Sequence, residues 1–134
     1  MDLEILQIAS NTKNHKVVKN HTHSSKNKNP ICGDEMEIRL LVKNDLIEDI
    51  GYQCKSCVYC QASVSMLSTK IKNKKIDQIM SLFTSVESFF ENTGIKINKE
   101  WEDFKKILNK KNIARKECLL LPFKTISKAL KFKS

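Results

Sequence analysis

The sequence predicts an α+β fold in which a small antiparallel sheet comes first and helices follow. Three observations predict it. Residues 35–42, EMEIRLLV, place Met36, Ile38, Leu40 and Val42 on one side of an alternating pattern, the period of a strand with one buried face. After Cys57 the apolar residues recur at spacings of three and four, which is the helical period. A length of 134 residues is that of one domain, large enough to bury a modest core without disulfides.

Taken in order, Leu3, Ile5, Leu6, Ile8 and Ala9 recur at helical spacing over residues 2–10 and predict a short amphipathic helix. Residues 11–29, NTKNHKVVKNHTHSSKNKN, are polar and read as a loop holding at most one weak strand. After the strand at 35–42, Lys43-Asn44-Asp45 turns the chain and LIEDIGYQC, 46–54, returns antiparallel. The next helix places Ala62, Met66, Leu67 and Ile71 on one face, with Ser63 and Ser65 keeping part of it small. A helix over 75–91 carries Ile76, Ile79, Met80, Phe83, Val86 and Phe90 as its apolar stripe and ends at Asn92-Thr93-Gly94. Trp101, Phe104, Ile107 and Leu108 form another stripe. A final helix spans about 119–132, where Pro122 is tolerable only in the first turn. No internal repeat is present. The expected organisation is a single domain over 1–134, with a helix and polar loop over 1–28 and the core over 29–132.

Composition narrows the function classes. No run of about 18 apolar residues exists, so no membrane span is expected. Asp2 and Glu4 precede the first apolar residues, unlike the basic start of a secretory signal, so the chain is expected to be cytoplasmic. In that reducing compartment five cysteines point to metal or thiol chemistry rather than disulfides. The net charge of +9 invites a nucleic-acid reading, but all of the 24 basic residues except Arg39 and Arg115 are lysines. Arginine is the side chain suited to bidentate phosphate and guanine contacts. No aromatic residues alternate with the lysines as a stacking platform. A zinc-stabilised nucleic-acid module therefore ranks third, and attraction to an acidic protein partner stays open.

The chemistry-bearing residues lie at element ends. In NPICGDEM, Pro30 biases Asn29 toward extended backbone and Gly33 permits a tight turn, so Cys32 and Asp34 can face one ion. Thiolate and carboxylate together suit tetrahedral zinc. Cys57 lies where strand gives way to helix, and Cys118 just before the last helix. Cys54 and Cys60 extend CKSCVYC into an apparent three-cysteine motif; each also reads as a small buried hydrophobe. His21 and His23 flank a polar loop and read as solvent-exposed, and His15 has no evident partner. Trp101 reads as a helix anchor or an exposed partner contact.

Three blocks in order, NPICGD, CVYCQASVSM and ARKECLLLPFKTISKAL, resemble the U-type iron–sulfur scaffold family (IscU, SufU and the N-terminal part of NifU), over roughly residues 11–132. The family's C-x4-A-S, aligned on Ala62-Ser63, puts its second cysteine at Cys57, with Cys54 on a usual glycine position. The resemblance implies a three-stranded sheet packed by four to five helices, with the first strand in VVKNHTHSS. It implies metal ligands Cys32, Asp34, Cys57 and Cys118. Glu117 replaces the histidine that precedes the third cysteine in IscU-like members, no Leu-Pro-Pro-Val-Lys segment precedes it, and the interval from Cys57 to Cys118 is longer by about one helix. These features resemble the SufU branch.

Such a protein binds Zn2+ and accepts sulfur at Cys32 from a SufS-like cysteine desulfurase, passing it to downstream iron–sulfur assembly or acceptor proteins. The alternative is a scaffold assembling a transient [2Fe–2S] cluster on Cys32, Cys57 and Cys118. Three thiolates, a carboxylate and Zn2+ sum to about −2. Arg115 is the candidate for offsetting that charge; otherwise it is an ordinary surface arginine.

Overall fold

Alternation along 35–55 builds the centre of the molecule. The computed structural model describes residues 3–30, 33–91 and 97–131. The sheet consists of β1 (His23–Lys28), β2 (Glu35–Lys43) and β3 (Leu46–Lys55), in the order β1-β2-β3 and antiparallel throughout. Asn44 and Asp45 both take positive φ (53° and 59°) between paired Lys43 and Leu46. Asn and Asp are the non-glycine residues that tolerate this conformation best.

One face of the sheet carries Met36, Ile38, Leu40, Ile47, Ile50 and Tyr52, all buried. Helices α1 (Leu3–Ala9), α2 (Val58–Ile71), α3 (Ile76–Glu91) and α4 (Lys116–Leu130) accompany it, with two 3₁₀ segments at Lys99–Lys106 and Lys110–Arg115. Helix α2 is buried on nearly every side, between the sheet, α1 and α4. Its polar side chains are accordingly hydrogen-bonded, as burial demands. Ser63 donates to the Leu119 carbonyl (2.6 Å), Ser65 to the Asn11 carbonyl (2.7 Å), and Ser68 to the Ser65 carbonyl while accepting from Asn14.

The opposite face of the sheet is polar, with Lys26–Glu37, Lys28–Glu35 and Arg39–Glu37 pairs across it. Residues 14–18 close its far edge. The Tyr52 N–H donates to the Asn14 carbonyl (3.0 Å), and a Cβ on Gly51 would stand 2.4 Å from the Lys16 carbonyl oxygen. Gly51 therefore lets two backbones touch. Among the described residues no helix is long and apolar enough to cross a membrane.

Several expectations need correction. The first strand is HSSKNK, so it begins at the end of the expected VVKNHTHSS and runs on to Lys28. Its inward residues are half-buried His23, Ser25 and Asn27, and Ser25 donates to the Thr125 carbonyl of α4. Polar contacts replace the apolar stripe that sequence reading needs. In α1 only Ile5 is fully buried, and Leu3 and Leu6 face outward. In α3 Leu82 takes the core place expected of Met80, which is 45% exposed. The Trp101 stripe is a 3₁₀ segment kinked at Trp101 (φ −110°, ψ 17°). Trp101, Phe104 and Ile107 are three apart and all buried, the spacing that eclipses side chains on a 3₁₀ helix. Trp101 is thus an internal anchor. Helix α4 starts at Lys116, so Cys118 sits in its first turn and Pro122 in the second. The chain terminus of α3 at Asn92-Thr93-Gly94 and the end of the last helix at Phe132 lie outside the described residues, as does Cys32.

Candidate metal centre

Three elements meet at one point. Asp34 ends a six-residue loop closed by two backbone bonds, Gly33 N–H to the Asn29 carbonyl and Asn29 N–H to the Asp34 carbonyl, both 2.8 Å. Gly33 takes φ +76°, and a Cβ there would meet no atom within 4 Å. Glycine is present for its left-handed backbone and not for space. Cys57 is the N-cap residue of α2, half-buried with extended backbone (φ −70°, ψ 166°). Cys118 is the third residue of α4 and 5% exposed.

The ligand atoms of Asp34, Cys57 and Cys118 all lie within 4.8 Å of one another. Neighbouring ligands around a tetrahedral zinc with bonds near 2.0–2.3 Å stand roughly 3.5 Å apart, so modest side-chain rotation brings these three to one ion. The Cys57 N–H donates to Asp34 Oδ1 (3.2 Å), which ties the loop to α2. Asp34 is only 6% exposed, and among the described residues its buried Oδ2 has no hydrogen-bond partner. An unpartnered buried carboxylate oxygen costs free energy unless a cation occupies it. Two sulfurs and a carboxylate oxygen form the donor set of a zinc or iron–sulfur ligand group. The residues therefore fit a soft divalent metal.

Both cysteines occupy helix N-termini, where the unpaired N–H groups concentrate partial positive charge. The first turn of α2 contains no acid, and Glu117 of α4 is paired with Lys124 (3.2 Å). The Ser63–Leu119 bond locks α2 to α4 just beyond the two cysteines. Arg115, the N-cap of α4, is exposed and places its guanidinium 5.1 Å from the Tyr59 ring centre. It bridges the starts of α2 and α4.

The remaining candidates lie outside this group among the described residues. Cys60 is fully buried and Cys54 half-buried. Burial pushes both thiols up, and the nearby Asp34 carboxylate adds to the effect. Both are held as neutral thiols. His15 stacks on Tyr52 (5.1 Å between ring centres), His23 contacts Thr22 (2.8 Å), and His21 is exposed. Tyr59 was not singled out from sequence, and Ser63 was read as a small residue and a register mark without its bond to α4. Ser63 had a usable signal, a small polar residue inside a buried helix face, whereas nothing local marked Tyr59.

Residues 2–115 match the family described as NifU-like N terminal domain. An iron–sulfur cluster assembly scaffold protein IscU from Thermotoga maritima is 29% identical over 132 residues, 95% of this chain and 89% of that one. A zinc-dependent sulfurtransferase SufU from Bacillus subtilis is 33% identical over 54 residues, 40% of this chain and 37% of that one. A solved structure of a putative iron–sulfur cluster assembly scaffold protein for the SUF system from Fervidobacterium islandicum superposes with a TM-score of 0.87 at 25% identity. That superposition covers 97% of this chain and 96% of the other.

Proposed function

The chain belongs to the NifU-like N-terminal domain family, and we propose that within iron–sulfur cluster assembly it acts as a zinc-dependent sulfur acceptor for a cysteine desulfurase. The observation that carries the reading is the convergence of Asp34, Cys57 and Cys118 around an unpartnered Asp34 oxygen. Cys32 would complete a four-ligand set from the loop that holds Asp34. Zinc, when bound, supplies a positive charge that keeps its cysteine ligands deprotonated at neutral pH.

The protein's own residues then divide the work. Asp34, Cys57 and Cys118 are buried or half-buried and anchored to a closed loop and two helix starts, so they form the fixed part of the set. Cys32, which precedes Gly33 in the chain, is the nucleophile of the reading. Its thiolate attacks the terminal sulfur of the partner's cysteine persulfide. A new S–S bond forms on Cys32, the partner's S–S bond breaks, and the partner cysteine leaves as a thiolate, with no net change of oxidation state. Arg115, at the start of α4 with its guanidinium over the Tyr59 ring, would offset the excess negative charge of the thiolates.

The 29% identity to an IscU scaffold across 95% of the chain supports a second reading, in which Cys32, Cys57 and Cys118 hold a [2Fe–2S] cluster as cargo. Replacement of the IscU-type histidine by Glu117, paired outward to Lys124, favours the first. The test is desulfurase turnover with added zinc-loaded protein. The reading expects several-fold stimulation that Cys32→Ser abolishes while zinc remains bound. Equal stimulation by Cys32→Ser would overturn it.

A further inference from the structure

We propose that the 3₁₀ ridge over Lys110–Arg115, together with Lys105 and Lys116, docks an acidic face on the protein that delivers sulfur. The inference rests on the sulfur-acceptor reading and names the surface chemistry that partner must present.

Between Asp103 and Glu117 the chain carries Lys105, Lys106, Lys110, Lys111, Arg115 and Lys116 and no acid. Several basic side chains elsewhere share carboxylates, as in the Lys16–Asp49–Lys72 and Lys26–Glu37–Arg39 groups. On the ridge Lys106 leans on Asp103 (3.7 Å), and among the described residues Lys105, Lys110 and Lys116 have no carboxylate partner. A one-signed patch on a mixed surface focuses the field on an approaching partner of opposite charge.

The ridge is rigid and well placed. Asn112 is buried, its side chain donates to the Ile107 carbonyl (2.9 Å), and Phe104, Ile107 and Leu108 beneath are almost fully buried. Ile113, 46% exposed, gives the cationic surface an apolar centre, the arrangement of a protein interface more than of a solvated charge run. The ridge runs directly into the α4 turn that carries Cys118, and Arg115 reaches Tyr59, two residues after Cys57. A partner seated on it brings a persulfide anion toward the ligand group. A single arginine and the lack of exposed aromatic residues on the ridge argue for an acidic protein over a nucleic acid.

The test measures association of the full zinc-loaded chain with the same organism's cysteine desulfurase by stopped flow. Wild-type association should slow by about tenfold or more between low and physiological salt. Lys105→Glu with Lys110→Glu should slow association about tenfold at low salt, leave dissociation within about twofold, and keep zinc content and thermal midpoint at wild-type values. Lys19→Glu with Lys43→Glu makes the same charge change at exposed sites outside the ridge segment and should slow association by no more than about twofold. Ile113→Asp should raise the dissociation rate. If both charge pairs slow association equally, or neither does, while wild type still binds and stimulates the desulfurase, the docking surface is wrong and the sulfur-acceptor reading survives. A wild type that neither binds nor stimulates the desulfurase overturns both, as does ridge-dependent RNA binding in place of desulfurase binding.

Discussion

Asp34→Asn should stabilise the metal-free protein while weakening metal binding. Asp34 is buried, its Oδ1 accepts the Cys57 N–H, and among the described residues its Oδ2 has no partner. A buried polar atom left unsatisfied costs about 1–3 kcal/mol, and more when it shares a charge. Asparagine keeps the Oδ1 acceptor and the shape, and it exchanges the charged orphan for a neutral amide that still lacks a partner. Relief of about 1–2 kcal/mol follows. At this chain length that raises the thermal midpoint by roughly 3–8 °C. Loss of the anionic ligand should lower zinc affinity at least as much as loss of an outer hydrogen-bond partner does, about 10- to 100-fold, or roughly 1.4–2.7 kcal/mol. Because ligand stabilisation follows affinity logarithmically, the zinc-induced rise in midpoint should shrink by that amount. Scanning calorimetry with excess chelator and then with excess zinc reads both effects. A lower midpoint for Asp34→Asn under chelator would show that the carboxylate is a structural clamp, and the argument from its orphan oxygen would fail.

Cys57→Ser and Cys118→Ser should each abolish tight zinc binding, whereas Cys54→Ser and Cys60→Ser should retain one zinc per chain by elemental analysis; loss in Cys54→Ser with retention in Cys57→Ser would refute the ligand assignment. Gly51→Ala drives a Cβ to 2.4 Å from the Lys16 carbonyl and should cost about 1–3 kcal/mol or more; Gly33→Ala meets no atom but keeps a positive φ and should cost about 1–2 kcal/mol. Urea melts that rank them the other way would contradict the packing described. Burial raises Cys54, Cys60 and Tyr52, the last to about 12 with Cys54 contributing. The folded state therefore keeps protons that the unfolded chain releases above its thiol value of 9.0. Stability of the metal-free protein should be fully present below that pH and fall as pH climbs toward the folded values. A urea midpoint that stays level to about pH 10.5 would refute it.

Sequence reading recovered what depends on apolar period and missed what depends on polar contact. Strand β2 alternates up to Leu40 because one face is buried and the other solvated, and helices α2 and α3 begin within a residue or two of expectation. Strand β1 was expected several residues too early because its inner side is His23, Ser25 and Asn27, with Ser25 bonded to α4. The kinked 3₁₀ path at Trp101 escaped because spacing of three suits both helix types over so short a span. The start of α4 was placed late because Pro122 was assumed to need the first turn. Cys57 could be chosen over its neighbours only through the Ala62-Ser63 register, since spacing alone treats Cys54, Cys57 and Cys60 alike. The fold separates them by position, bringing Cys57 to Asp34 and Cys118 and leaving Cys54 and Cys60 outside that group. The Asp34 orphan oxygen and the Arg115–Tyr59 contact have no counterpart in sequence at all.

The most direct test of the central claim is metal and labile-sulfide analysis of the protein purified from its native source without chelator, read together with its visible spectrum. A zinc-dependent sulfur acceptor should be colourless, with one zinc per chain and neither iron nor labile sulfide. Stoichiometric iron and sulfide with absorbance in the visible would contradict it and establish the cluster-carrying reading instead.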